Sequence, residues 1–268
     1  MAQPLKIAIA GASGRMGRML VKAASQNPEL KLIAALDGPH SEFLGEDSGV
    51  LAGIGANKIT LQSHFPTDPF DALIDFTTPL ATKIYLEHSS KLGLIHVIGT
   101  TGFSPADLEL IKDKAKTCCV IRSGNMSLGV NLLAALVKKA AQSLDPSFDI
   151  EIVEMHHRMK IDAPSGTAYL LGEAAAEGRQ ISLKDHSVRV RDGETGPRPE
   201  GSIGFATLRG GTVIGDHSVT FAGNGERLVF SHIAEDRSLF AQGALKATLW
   251  ARGKANGLYS MMDVLDLS

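Results

Sequence analysis

What most constrains this chain is a short feature near its start. Leu5-Lys-Ile-Ala-Ile-Ala10 is an almost unbroken apolar run that passes straight into Gly11-Ala-Ser-Gly14-Arg-Met-Gly17. A run of that length, ended by glycine, reads as a strand buried on both faces, the habit of parallel sheets. Met16, Leu20, Ala23 and Ala24 then recur at helical spacing until Asn27-Pro28 stops the segment. A second run, Leu30 to Leu36, closes on Asp37, which stands 20 residues after Gly17. Strand, glycine loop, helix, strand and acid in this order fit one βαβ unit of a dinucleotide-binding fold. Glycines let the backbone approach a pyrophosphate, the helix N-terminus stabilises its charge, and the acid takes a ribose hydroxyl. Ser13 occupies the position of the middle glycine in the common G-x-G-x-x-G pattern, so the flanking strand, helix and acid carry the assignment.

The alternation continues. Ala72 to Phe76, His96 to Ile98 and Cys118 to Ile121 read as strands, and Leu80 to Lys91 as a helix. Ser104-Pro-Ala-Asp107 offers an N-cap serine and a proline at the first helical position, opening a helix toward Lys116. This half is therefore a Rossmann-type, doubly wound α/β domain with a parallel sheet. Phe76-Thr-Thr-Pro79, Gly99-Thr-Thr-Gly102 and Ser123-Gly-Asn-Met126 each follow a strand at its carboxyl end, where ligands bind in open α/β sheets. Taken together they suit the nicotinamide side of such a groove; singly, each also reads as an ordinary βα turn with a cap.

After a long helix over residues 127–144 the texture changes. Phe148 to Met155 alternates charged and apolar residues, and Val188 to Arg191, Ile203 to Leu208, Val219 to Phe221 and Leu228 to Ile233 are further strand candidates. Glycine turns at Gly210-Gly211 and Gly223-Asn-Gly225 separate some of them. The reading is a second α+β domain built on an open mixed sheet with little helix. The domain borders fall at 1–127 for the dinucleotide-binding domain, completed by 239–268 through a helix near Ser238 to Arg252, and 128–238 for the second domain.

The sharpest chemical signal lies in that second domain: His156-His-Arg-Met-Lys160-Ile-Asp-Ala-Pro164-Ser-Gly-Thr167. The chain carries 27 Lys+Arg against 29 Asp+Glu, a net charge of −2, which argues against nucleic-acid and anionic-membrane binding. Against that balance His156, His157, Arg158 and Lys160 form a local concentration of cations. Pro164-Ser-Gly-Thr167 then resembles a helix start whose hydroxyls and free N–H groups can hold a carboxylate. The pattern suits a pocket for a small anion with a proton donor beside it. A solvated basic turn before a capped helix has the same letters. A metal site is not expected, since neighbouring strand residues point to opposite faces. His186, His217 and His232 stand singly and read as structural.

Cys118 and Cys119, adjacent within an apolar stretch, read as small core residues and point to a reducing compartment. No segment approaches the ~20 apolar residues of a membrane span. With a strand starting at Leu5 there is no room for a leader, and the expectation is a cytoplasmic protein.

At this point the chain resembles, essentially end to end, the 4-hydroxy-tetrahydrodipicolinate reductase (dihydrodipicolinate reductase) family. The resemblance rests on Gly11-Ala-Ser-Gly-Arg-Met-Gly17, Asp75-Phe-Thr, Gly99-Thr-Thr-Gly-Phe103, Asn125-Met-Ser-Leu-Gly-Val-Asn131 and, above all, Glu154-Met-His-His-Arg-Met-Lys-Ile-Asp-Ala-Pro-Ser-Gly-Thr-Ala168. It implies NAD(P)H-dependent reduction of a cyclic, unsaturated dicarboxylate to tetrahydrodipicolinate in the lysine pathway, by a homotetramer. On this chain Gly11, Ala12, Ser13, Gly14, Arg15 and Met16 would hold the pyrophosphate and Asp37 the adenosine ribose. Gly99, Thr100, Thr101, Ser123, Gly124, Asn125 and Met126 would surround the nicotinamide. His156 and Lys160 would be the acid–base residues, and His157, Gly166 and Thr167 would hold substrate carboxylate. Some members have an arginine after the ribose-binding acid, able to pair with a 2′-phosphate. Here that position is Gly38, with Arg15 the alternative partner, which implies NADH or dual use with a lean to NADH. Two other readings share parts of the pattern: an amino-acid dehydrogenase acting on aspartate, and a nucleotide-sensing protein without turnover.

Overall fold

The computed structural model describes residues 3–267. The chain opens with β1 (Leu5–Ala10), α1 (Arg15–Ser25), β2 (Leu30–Leu36), α2 (Ser48–Leu51), β3 (Leu61–Gln62), β4 (Ala72–Asp75), α3 (Pro79–Leu92), β5 (Ile95–Ile98), α4 (Pro105–Lys114) and β6 (Cys119–Arg122). It continues through α5 (Leu128–Ser143), β7 (Asp149–His156), α6 (Gly166–Arg179), α7 (Leu183–His186), β8 (Ser187–Val188), β9 (Ile203–Arg209), β10 (Gly215–Gly223) and β11 (Glu226–Ala234). It closes with α8 (Ser238–Trp250), β12 (Gly257–Tyr259) and α9 (Met261–Val264). Two compact units result, one from residues up to Leu128 together with Arg237–Asp266, the other from Gly129–Asp236.

The first unit is organised by a seven-stranded sheet in the order β12-β6-β5-β4-β1-β2-β3, with every pairing parallel. The order reverses at β1, between β2 and β4, the switch point at which doubly wound sheets open a crevice. Ile7, Ile9, Leu73, Ile74 and Ile121 are fully buried, as strands covered on both faces require. Each such side chain contributes about 1.5–3 kcal/mol through burial. One face packs Leu20, Val21 and Ala24 of α1 with Ala241, Ala244 and Leu245 of α8 and Met261 of α9. The opposite side buries Leu86 of α3 and Ile111 of α4 around Ile98 and Val120. Local chemistry sets the ends: Ser104 and Asp107 form a capping box on α4, and Thr78 caps α3 ahead of Pro79.

The second unit carries a mixed sheet in the order β11-β10-β7-β9-β8. β10 is antiparallel to β7 and β11, whereas β7, β9 and β8 run parallel. Alternation in β7 puts Ile150, Ile152, Glu154 and His156 on the buried face and leaves Val153 on the other. The unit holds more helix than the sequence pattern suggests, because α6 extends the start at Pro164-Ser-Gly-Thr167 over 14 residues. The strand expected over Val188 to Arg191 shrinks to Ser187–Val188. Beyond it Arg191 reaches Glu151 (2.8 and 2.9 Å), where Arg198 also binds (2.9 Å), and side-chain ion pairs replace the ladder.

Candidate active site

At the carboxyl end of β1 the glycine loop makes a tight turn beside the loop after β4. Gly11 adopts φ +74°, and a Cβ there would lie 2.7 Å from the Phe76 carbonyl oxygen. A Cβ on Gly17 would lie 2.0 Å from the Gly11 carbonyl oxygen and 2.5 Å from Ala12 Cα, so only glycine lets α1 sit this close to the turn. Gly14 is the N-cap of α1 and has no side chain to cap it. The first-turn N–H groups at Arg15 and Met16 therefore lack a side-chain cap and suit an anion. Arg15 is exposed, and Arg18 donates to the Ser13 carbonyl at 2.7 Å, bracing the turn. Asp37 sits half-buried at the end of β2. Its carboxylate accepts the hydroxyls of Ser13 and Ser41 and the Gly38 N–H. A backbone cradle that a Cβ would fill, an uncapped helix start and an acid beside it fit a dinucleotide.

The other strand ends complete this rim. Gly99 packs on the Phe76 ring, where a Cβ would meet Cζ at 2.2 Å. Thr100 is buried, with its hydroxyl turned inward, and Thr101 is exposed. After β6, Gly124 is exposed, Ser123 and Asn125 are half-buried, and Asn125 accepts the Ser127 N–H (2.8 Å). Met126 is a core residue, and α8 approaches its carbonyl so closely that Gly243 has no room for a Cβ (1.7 Å). Met126 and Thr100 can thus offer a ligand only their backbone.

In the second unit the cation-rich stretch is a loop between β7 and α6. His156 ends β7, and the His157 N–H donates to Val213 O (2.7 Å). Lys160 pairs with Asp162 (2.8 Å). Ser165 caps α6 through the Ala168 N–H (3.1 Å), leaving Gly166 exposed and Thr167 half-buried at the helix start. Beneath the loop lies Glu154, 1% exposed. One of its oxygens meets His156 Nδ1 at 2.5 Å and an Arg209 nitrogen at 2.8 Å. The other accepts the Ser165 N–H (3.1 Å) and a second Arg209 nitrogen (3.0 Å). Arg209 also holds the Asp162 carbonyl (2.7 Å). Because a carboxylate can only accept, His156 Nδ1 carries the proton. His217 stands edge-on to the His156 ring (5.1 Å between centroids) and bonds Ser165 Oγ at 2.9 Å.

These contacts set the proton affinities. Burial pushes the Glu154 carboxyl up, but Arg209, His156 and the Ser165 N–H outweigh it and hold it below the usual carboxylate range. Burial lowers the His156 pKa, with Lys160 and Arg209 acting in the same direction against Glu154. His217, pushed by burial to about 4, is neutral at physiological pH. Among the described residues no group of three or more His, Cys, Asp and Glu is arranged to hold a metal.

Residues 5–126 match the profile of the N-terminal part of dihydrodipicolinate reductase, and residues 129–265 that of its C-terminal part. The chain belongs to the dihydrodipicolinate reductase family. A relative from Rhodopseudomonas palustris (strain BisB5) named 4-hydroxy-tetrahydrodipicolinate reductase is 58% identical over 266 residues, 98% of each chain. One of the same name from Methylocella silvestris is 55% identical over 269 residues, 98% of this chain and 97% of the relative. The fold matches that of a dipicolinate-bound dihydrodipicolinate reductase from Paenisporosarcina sp. TG-14, with a TM-score of 0.77 at 24% identity, covering 97% of this chain and 99% of that one. Within this family chain, sequence reasoning assigned no role to Glu154 or Arg209, read His217 as structural and offered the Ser165 hydroxyl to a carboxylate, whereas the buried hydroxyl is taken by the Ala168 N–H and His217. The alternation of β7 was the available signal, because it puts Glu154 and His156 on one buried face.

Proposed function

We propose that the chain reduces 4-hydroxy-tetrahydrodipicolinate to tetrahydrodipicolinate with NAD(P)H, in the diaminopimelate and lysine pathway. The observation that carries this is the intact constellation of the second unit: His156 set by Glu154, Lys160 on the adjoining loop, and the start of α6 at Gly166 and Thr167. In this reading residues 1–127 with 239–268 bind the dinucleotide and residues 128–238 bind substrate. Gly11 to Met16 hold the pyrophosphate and Asp37 the adenosine ribose. Gly99 to Thr101 and Ser123 to Met126 border the nicotinamide, which supplies a hydride when bound.

Hydride addition to a conjugated imine leaves negative charge on the substrate, and a placed acid must quench it. His157, the Gly166 and Thr167 N–H groups and the Thr167 hydroxyl orient a carboxylate at the helix start. Lys160 is paired to an Asp162 that is 57% exposed, so an arriving carboxylate can compete for the ammonium. A dianion beside His156 acts against burial and raises its proton affinity as substrate binds. His156 and Lys160 are the acid–base pair.

Asp37, with Gly38 after it, disfavours a 2′-phosphate, so NADH is the better donor and NADPH a usable one. A homotetramer is favoured by the open face of the mixed sheet, which exposes Val153, Leu208, Val229 and Ile233. The reading is tested by mixing the protein with NADH and the fresh condensation product of pyruvate and aspartate semialdehyde, following the absorbance of the reduced dinucleotide. Substrate-dependent oxidation is expected. Its absence, together with reduction of NAD by aspartate, would overturn the proposal.

A further inference from the structure

One polar cluster in the first unit is not used by this chemistry. Asp75, the last residue of β4, is fully buried, on a strand whose other residues are aliphatic. Its Oδ1 accepts three bonds: the Thr77 N–H (3.0 Å), the Thr77 hydroxyl (2.6 Å) and the Thr100 hydroxyl (3.3 Å). The Thr100 oxygen in turn accepts the Thr77 N–H (2.9 Å) and the hydroxyl of fully buried Thr82 (3.1 Å). A hydroxyl has one proton and two lone pairs, so Thr100 is saturated inside the protein. On its other side Asp75 Oδ2 faces His96 Nε2 at 3.4 Å, both side chains fully buried.

A buried carboxylate is costly, and packing alone would be served better by valine or isoleucine here. What the carboxylate adds is a fixed relation between two loops. Thr77 lies on the loop after β4, Thr100 on the loop after β5, and the Phe76 ring beneath Gly99 clamps the same pair from the apolar side. Both loops stand at strand carboxyl ends next to the switch point.

We propose that Asp75 is a positioning residue that, through Thr77 and Thr100, holds the Gly99–Thr101 backbone in register for the nicotinamide end of the dinucleotide. The inference rests on the dinucleotide reading above and concerns one end of that ligand only. The adenosine and pyrophosphate contacts come from the β1 loop and Asp37, and the Asp75 side-chain hydrogen bonds go to neither.

The probe is the pair NADH and ADP-ribose, the latter having every part of the dinucleotide except the nicotinamide. Affinities are measured by calorimetry on the full chain and on Asp75→Ala. Wild type is expected to prefer NADH by about tenfold or more. In Asp75→Ala the ADP-ribose affinity should stay within about twofold, while the preference for NADH collapses toward one. Retained ADP-ribose binding also certifies the fold of the variant. An unchanged preference in the variant, or a wild-type ratio near one, overturns the inference. A wild type that binds neither ligand overturns the dinucleotide reading instead. Should Asp75→Ala bind nothing, Thr100→Val decides: loss of the NADH preference with ADP-ribose binding kept supports the proposal, and a kept preference removes it.

Discussion

Glu154→Gln changes one atom of a buried side chain and should change where a proton sits. In the native network one carboxylate oxygen serves the Ser165 N–H and Arg209, and the other serves His156 Nδ1 and Arg209. A glutamine keeps the first set by pointing its carbonyl there. Its NH2 then faces two groups that are both donors. Arg209 cannot become an acceptor, but the imidazole can, by moving its proton from Nδ1 to Nε2. The charge is lost as well, and removing one partner of a buried pair costs about 3–5 kcal/mol. Arg209 keeps the Asp162 carbonyl, and its side chain is 21% exposed, so water takes up part of the loss. An estimate of about 2–3 kcal/mol follows, or a melting temperature lower by roughly 5–10 °C for a chain of this size. A misplaced acid–base proton should lower kcat roughly 10- to 100-fold, with KM for substrate nearly unchanged because the Ser165 contact survives. Glu154 raises the His156 pKa against burial, Lys160 and Arg209, so the pH limb due to His156 moves to lower pH in the variant. Nitrogen chemical shifts of labelled histidine report the tautomer directly, beside melting curves and steady-state kinetics. A variant with native kcat whose His156 still carries its proton on Nδ1 would refute the reasoning.

Four further outcomes follow from the same geometry. His217 has a folded-state pKa of about 4 against 6.5 unfolded, so the unfolded chain binds the extra proton between those values. Stability should therefore fall by roughly 3 kcal/mol as pH drops through that window, and His217→Gln should flatten the slope seen in urea titrations. Gly17→Ala places a methyl against backbone at 2.0 Å and should cost about 1–3 kcal/mol by denaturation and weaken NADH binding severely. Lys160→Ala should keep the NADH dissociation constant while losing most of kcat; unchanged turnover would remove Lys160 from the reaction. Arg15→Ala should lower kcat/KM for NADPH several-fold more than for NADH, and equal losses would show that Arg15 does not meet a 2′-phosphate.

The parts of the fold that obey local rules were legible in the sequence. The run from Leu5 to Ala10, the cap at Ser104 and the turn at Gly223-Asn-Gly225 each follow from a few adjacent residues, and the structure has them at those positions. Short edge strands were not legible: β3 and β12 exist only because β2 and β6 offer them a partner. The length of α6 was hidden because Ala174, Ala175 and Ala176 are all buried, which blurs the stripe a helix usually displays. The network around His156 was beyond local rules for a different reason. His217 lies opposite Glu154, and Arg209 opposite His156, through the registers of β10 and β9 on β7. Residues more than 50 positions apart meet there by strand pairing.

The two buried carboxylates point to a common principle. Asp75 ends β4, and Glu154 stands two residues before the end of β7. Each is itself buried on its strand and accepts from donors at or beyond strand ends: one oxygen of Asp75 takes Thr77 and Thr100 from the following loops, and Glu154 takes Ser165 from the loop before α6 and Arg209 from the last position of β9. An apolar residue at either place would pack the sheet as well but leave the loop free to choose its conformation. A reaction that needs its partners placed to within a fraction of an ångström loses more from a wandering loop than the fold loses by burying a carboxyl group. The cost is therefore located at the strand ends bearing the proposed site, and the middles of β1, β4 and β6 remain aliphatic. On this argument, substituting Asp75 should impair ligand positioning, and substituting Glu154 turnover, more than either lowers the melting temperature, whereas a large-to-small change at Ile9 or Ile74 should do the reverse.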